Sequence, residues 1–282
     1  MTITNNKHLP APMVRAAEHQ REIKPHVYSV TTLLKPTREI LLTRRHDSEI
    51  TQDVANMAWA LFGTAAHAVL EDKADANTAE IRLSWEIGKY TVTGITDYVD
   101  GETVIDYKTC SVWKFRAGDF EDWRKQLETY ALILNKSGHK ITKGRIIAIL
   151  RDHRKGEARA DRDYPDPIET VDFDLSDLTE TEQRVRMKIA SLNVCEDLPD
   201  DMLPFCTDAE RWARGGGWAV RKNSTKRALR VLDTKEEAEE YLNTHYGDYI
   251  EYRPPYSAKC HEYCNAREFC NQYKEIISKE QK

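Results

Sequence analysis

An Asp100-Gly101 dipeptide stands between alternating apolar residues in the stretch Gly94-Ile-Thr-Asp-Tyr-Val-Asp-Gly-Glu-Thr-Val-Ile-Asp-Tyr-Lys108. No other segment limits the fold as tightly, because Asp-Gly in that setting signals a two-residue β-hairpin. The turn sets residue 99 opposite 102, 97 opposite 104 and 95 opposite 106. Side chains alternate faces along a strand, so 97, 104, 106 and 108 share one face. Asp97 and Asp106 are then diagonal neighbours, roughly 7–8 Å apart at the backbone, within reach of one shared cation. Lys108 follows one pleat along. Such carboxylates are usually solvated strand-edge groups; with a converging amine they point to metal-dependent phosphodiester chemistry.

The remaining pattern reads as an α/β chain. Residues 54–72 lack strand alternation and predict a mostly buried helix carrying His67, with Glu71 one turn on. Strands are predicted near 81–87, 90–98 and 103–108. A helix over 120–135 carries Gln126 and Tyr130 four residues apart, and strands follow at 145–150 and 170–173. Thr179 and Glu182 form a capping-box pair ahead of a helix through Leu192. These elements predict a core over 28–200, preceded by a polar arm over 1–27. Residues 201–282 read as a C-terminal module with a ββαβ insert at about 215–253. At 40% hydrophobic and 32% charged residues, the 282-residue chain can bury a core and keep a solvated surface. No apolar run reaches the ~20 residues of a membrane helix. The N-terminus lacks the basic-then-apolar order of an export signal, so a cytoplasmic setting, bacterial or phage-infected, is expected.

In order, Gly63-x-x-x-His67, Gly94-x-x-Asp97, Asp106-Tyr-Lys108 and Gln126-x-x-x-Tyr130 resemble the RecB-type branch of the PD-(D/E)xK nuclease superfamily. That branch includes recombination, CRISPR-adaptation and phage exonucleases. Thr96 stands where many members of the superfamily have proline. The resemblance implies a restriction-endonuclease-like core, a central mixed sheet flanked by helices. It implies that His67, Asp97, Asp106 and the Tyr107 carbonyl hold Mg²⁺ or Mn²⁺, one imidazole making Mn²⁺ more acceptable. Lys108 would orient the attacking water, Gln126 and Tyr130 would position the phosphate, and Glu71 would stand behind the ligands. The expected activity is a DNA exonuclease in recombination, repair or phage replication. The alternative is a non-catalytic nucleic-acid-binding or accessory subunit. DNA, with a recombinase, helicase or single-strand-binding protein, is the expected partner set.

Cys260-x₃-Cys264-x₅-Cys270 follows the insert and Cys206 precedes it. Four thiolates suit an iron–sulfur cluster or a structural Zn²⁺. Some nucleases of the branch carry a [4Fe–4S] cluster with a similar final gap. Here the first gap is three residues rather than two, and the fourth ligand falls to Cys206 or Cys195. His261 can replace Cys206 in a zinc site, and unrelated buried thiols are the plain alternative. The net charge of −5 requires any phosphate-binding surface to be local. Between 211 and 230, Arg211, Arg214, Arg221, Lys222, Lys226, Arg227 and Arg230 interleave with Trp212 and Trp218 and no acid, which suits backbone tracking with base stacking. Trp212 is the aromatic assigned to that contact. A second basic run, Arg151, His153, Arg154 and Lys155, follows the 145–150 strand.

Overall fold

The computed structural model describes residues 1–18, 23–72, 80–225 and 227–280, the Glu71 and Glu280 side chains excepted. It forms two compact units: Met1–Lys35 with Asp47–Glu196, and Pro36–His46 with Asp197–Lys282.

In the first unit, β1 (Val27–Ser29), β2 (Arg82–Ile87) and β3 (Tyr90–Ile95) form a three-stranded sheet in the order β1-β3-β2. A four-stranded mixed sheet runs β4 (Tyr98–Asp100), β5 (Thr103–Cys110), β6 (Lys143–Leu150), β7 (Ile168–Asp174). Strands β5 and β6 are parallel and the other two pairs antiparallel. Helices α1 (Ala58–Glu71), α2 (Glu121–Lys136) and α3 (Thr179–Cys195) accompany them. The fold class is therefore mixed α/β, as expected.

The hairpin exists, but its register differs from the expectation. Asp100 pairs with Thr103, Val99 with Val104 and Tyr98 with Ile105. The loop is Gly101-Glu102, with Gly101 at φ +56° in its first position, so Asp100 stays in the strand. The expected 90–98 strand is broken at Thr96-Asp97, and β3 pairs with β1 and β2, so residue 95 does not face 106. Continuing the β4–β5 register one step sets position 97 directly across from 106, closer than the diagonal read from sequence.

Helix α2 packs on β5 and β6; its Leu127, Ala131, Ile133 and Leu134, like Val104, Ile146 and Ala148 of the strands, are 0% exposed. Each of the larger side chains contributes about 1.5–3 kcal/mol by leaving water. The polar arm is ordered in part: Thr2–Thr4 pairs in parallel with Thr51–Asp53, and Ala11–Ala17 is helical. Two further expectations are corrected. Helix α1 is not buried; Trp59, Phe62 and Val69 are exposed. The Thr179–Glu182 capping box does not form, because Asp177 Oδ1 accepts the Thr179 N–H at 3.0 Å instead.

In the second unit, β8 (Gly217–Arg221), β9 (Arg230–Leu232), α4 (Lys235–Thr244) and β10 (Tyr249–Arg253) make the expected ββαβ insert, with β8 central. Thr234 and Glu237 close a capping box on α4. The Thr37–Arg45 helix, which the sequence boundaries put with the core, clusters with this unit, and Thr37 through Leu42 are all buried.

Candidate active site and the cysteine cavity

Strand β5 alternates its side chains between two environments. Val104 and Asp106 face α2, and Asp106 is only 2% exposed. Gln126 joins this face into one network: its Nε2 donates to Asp106 Oδ1 at 2.7 Å and to the Tyr130 hydroxyl at 3.1 Å. Lys108 Nζ donates to Gln126 Oε1 at 3.0 Å and lies 2.6 Å from Asp106 Oδ2. That last contact is an ion pair without hydrogen-bond geometry, so Asp106 Oδ2 keeps its lone pairs undirected. Burial pushes the Asp106 carboxyl above the usual range; Lys108 opposes the shift and Asp97 adds to it.

Asp97 sits in the break between β3 and β4. Released from the pleat, its Oδ2 accepts the Tyr107 N–H at 2.8 Å, and its Oδ1 lies 3.2 Å from His67 Nδ1. The bond to Asp97 lifts the His67 imidazole above its ordinary value. The Tyr107 ring meets His67 edge-on at 6.2 Å between centroids. Each acid is thus balanced by an internal cation or potential cation, Asp106 by Lys108 and Asp97 by His67. Among the described residues, no group of three His, Cys, Asp or Glu side chains is arranged to hold a metal ion. The donor chemistry still suits a hard cation: two carboxylates and an imidazole, with one carboxylate oxygen undirected.

The geometry explains two motif glycines that the sequence reading named without a reason. A Cβ on Gly94 would lie 2.8 Å from the Tyr130 ring, and one on Gly63 would touch Thr109. Glycine lets β3 and α1 close on the acids. The Glu71 side chain and Lys226 lie outside the described residues.

The basic run read at Arg151 gains an aromatic surface beside β5 that the sequence reading missed. Arg151, one residue past β6, donates its N–H to the Cys110 carbonyl at the end of β5, and its guanidinium lies 4.5 Å over Trp59. Trp59, Gly63 and His67 are spaced by four, one stripe of α1. Trp59 is 61% exposed and Trp113, just past β5, is 72% exposed. An exposed tryptophan near a site is a weak signal in sequence, where it reads as core.

Within the second unit, Cys206, Cys260, Cys264 and Cys270 line one cavity. Cys195 belongs to the first unit. Gln272 clamps Cys206 by accepting its N–H and donating to its carbonyl, both at 2.8 Å. Burial, with Glu210 and the neighbouring thiols, pushes the Cys206 thiol up to about 12; burial and Glu39 push Cys264 up to about 11. Arg38, Arg211, Lys259 and Arg267 line the same cavity. His261 stacks on Tyr256, 4.7 Å between centroids.

Several residues of the 211–230 patch have partners inside the unit. Arg211 bonds Ser257 and Asp208, and Arg221 pairs with Glu251 at 2.9 Å. Arg214 lies over Tyr256 and Arg230 over Tyr241, while Trp212 is half exposed beside Tyr263. Lys222 and Arg227 are not in any ion pair among the described residues.

The model of the PD-(D/E)XK nuclease superfamily matches residues 15–271. No curated protein matches the chain. Solved structures that match include one described as SSO0001, at 17% identity over 66% of this chain and 84% of that one, TM-score 0.45. An alkaline exonuclease, LHK-Exo from Laribacter hongkongensis, matches at 10% identity over 60% and 89%, TM-score 0.38. A phage-related exonuclease from Haemophilus somnus 129PT matches at 12% identity over 62% and 93%, TM-score 0.32. With a superfamily match across most of its length, and the acid–acid–lysine site in the matched span, this chain is a member of the PD-(D/E)XK nuclease superfamily.

Proposed function

We propose that the protein is a metal-dependent deoxyribonuclease that hydrolyses phosphodiester bonds, working from DNA ends in recombination, repair or phage replication. One observation carries this reading: a carboxylate 2% exposed, Asp106, is held by a lysine at 2.6 Å and a glutamine at 2.7 Å, with Asp97 across the hairpin. A buried acid, amine and amide so interlocked cost folding energy that simple packing would avoid.

His67, Asp97, Asp106 and the Tyr107 carbonyl are the groups that would hold Mg²⁺ or Mn²⁺. Such an ion, when bound, neutralises charge on the scissile phosphate and makes water a better nucleophile. Lys108, 2.6 Å from Asp106, would orient the attacking water and stabilise the charge that builds on the phosphate. Gln126 holds both Asp106 and Lys108, so it sets the distance between acid and amine. Tyr130 fixes Gln126 and closes the wall against Gly94. Trp59, Arg151 and Trp113 suit a strand leaving the site, by stacking and by backbone charge. Arg211, Trp212, Arg214, Arg221, Lys222, Lys226, Arg227 and Arg230 are a second proposed DNA contact, with Lys222 and Arg227 the stronger members.

The four cysteines are proposed to carry a [4Fe–4S] cluster. The support is chemical: four thiols line one cavity together with four cationic and two acidic side chains, a donor set that suits an iron–sulfur cluster. The cluster would be structural, joining Cys206 to the chain beyond the insert.

The activity is tested with end-labelled linear DNA and a covalently closed circle, each with Mg²⁺ or Mn²⁺ and with chelator. The expected result is metal-dependent release of nucleotides from the linear substrate and sparing of the circle. No degradation of either, or degradation unaffected by chelator, would reject the reading.

A further inference from the structure

Arg38 is an arginine 1% exposed, on the Thr37–Arg45 helix. Its Nε donates to Cys270 Sγ at 3.3 Å. The guanidinium also donates to the carbonyls of Leu203 and Asp200 and to Asn271 Oδ1, and it lies 4.9 Å over the Phe205 ring. All of these partners are neutral. The neighbouring carboxylates are engaged elsewhere: Asp200 with Arg45 and His46, at 2.7 and 2.6 Å, Glu39 with Lys259, at 2.8 Å, and Glu210 with Thr207, at 2.9 and 3.2 Å.

Among the described residues, then, a fully buried cation has no carboxylate opposite it. An uncompensated buried charge costs several kcal/mol, and arginine cannot shed its proton to escape that cost. The group that Nε addresses is the Cys270 thiol, on the wall shared with Cys206, Cys260 and Cys264. A neutral thiol does not repay the burial, but a thiolate carrying a share of an anionic cluster does.

We propose that Arg38 is the buried counter-charge of a thiolate-held anionic iron–sulfur group, holding the Cys270 sulfur by its Nε–H and setting that group's retention and reduction potential. This rests on reading the four cysteines as cluster ligands. Hydrogen bonds to ligand sulfurs and local charge are the levers a protein has on such a group. Arg38 is a positioning residue, reaching the cluster through Cys270, and it ties the Thr37–Arg45 helix to the cysteine-bearing segment.

The experiment uses the full chain purified without oxygen, with iron and sulfide assays, a visible spectrum and a redox titration followed by electron paramagnetic resonance. Two variants are compared with wild type. Arg38→Gln removes the charge. Asn271→Asp keeps the fold, since an acid is favourable at the start of the Asn271–Glu280 helix, but sets a carboxylate against the guanidinium. Both are expected to shift the reduction potential to more negative values, because a cluster without its counter-charge takes up an electron less readily. Arg38→Gln is also expected to lose iron to a chelator about 10–100-fold faster. If Arg38→Gln does not fold, Asn271→Asp decides. Variants that keep wild-type potential and iron loss would overturn the role of Arg38 while leaving the cluster standing. Wild type without iron and sulfide would overturn the cluster reading, and this inference with it.

Discussion

Gln126 is the residue on which the site's geometry turns, since it bonds Asp106, Lys108 and Tyr130 together. Gln126→Leu should leave Asp106 Oδ1 buried without a donor and lower stability by about 1–3 kcal/mol in urea unfolding. Lys108→Ala should lower kcat on linear DNA by about 10²–10³-fold with little change in fold, the magnitude typical of losing one group that meets transition-state charge. Strand alternation puts Asp97, Asp106 and Lys108 on one face, whereas the roles proposed for His67, Gln126 and Tyr130 come from the family resemblance. What was not readable is how each acid is balanced. The His67–Asp97 pairing depends on a strand break at Thr96-Asp97 that no residue type announces, and the Lys108–Asp106 pairing on the amine lying back along its own strand. Trp59 escaped for a related reason: its helix is apolar enough to look buried, yet much of it faces outward.

At the scale of elements, the hairpin shows how a one-position error in a turn propagates. Asp100-Gly101 predicted a hairpin correctly but put the loop one residue early, and the pairing of every cross-strand neighbour moved with it. Extended by one step, the observed register sets position 97 opposite 106, so both acids stay at one end of the hairpin. Close approach between β3 and α2 depends on Gly94: Gly94→Ala sets a Cβ 2.8 Å from the Tyr130 ring and should cost about 1–3 kcal/mol, read as a lower thermal midpoint, and should also displace Tyr130. The start of β3 is joined to the end of α3 by a charged cluster. Glu196 accepts from Lys89 at 2.5 Å and from the Tyr90 hydroxyl at 2.9 Å, and lies 2.7 Å from His26. Lys89, then Tyr90 and His26, hold the Glu196 carboxyl down at about 2, against an ordinary 4.5. A lowered carboxylate stabilises the fold above its unfolded value and loses that contribution as pH falls through the folded value. The thermal midpoint of wild type should therefore exceed that of Glu196→Gln above pH 4.5, and the difference should vanish near pH 2.

For the whole molecule, pattern reading found the α/β core and the ββαβ insert, because each helix and strand carries its own period in the sequence, although the strands pair across long gaps such as Thr103 with Lys143. It did not find that residues 36–46 cluster with the C-terminal segment. That grouping is made by Arg38 meeting Leu203 and Cys270, 165 and 232 residues away, and by His46 stacking on Phe269 at 4.0 Å. A buried arginine inside a helix leaves no periodic trace, so only the folded chain reveals it. The central claim concerns the acids and the amine of the hairpin, and one assay bears on it most directly. Wild type and Asp106→Asn, matched for fold by circular dichroism, are incubated with labelled linear DNA and Mn²⁺, and acid-soluble nucleotide is counted over time. The account predicts steady release by wild type and none above background by the variant. Equal release by both would contradict it.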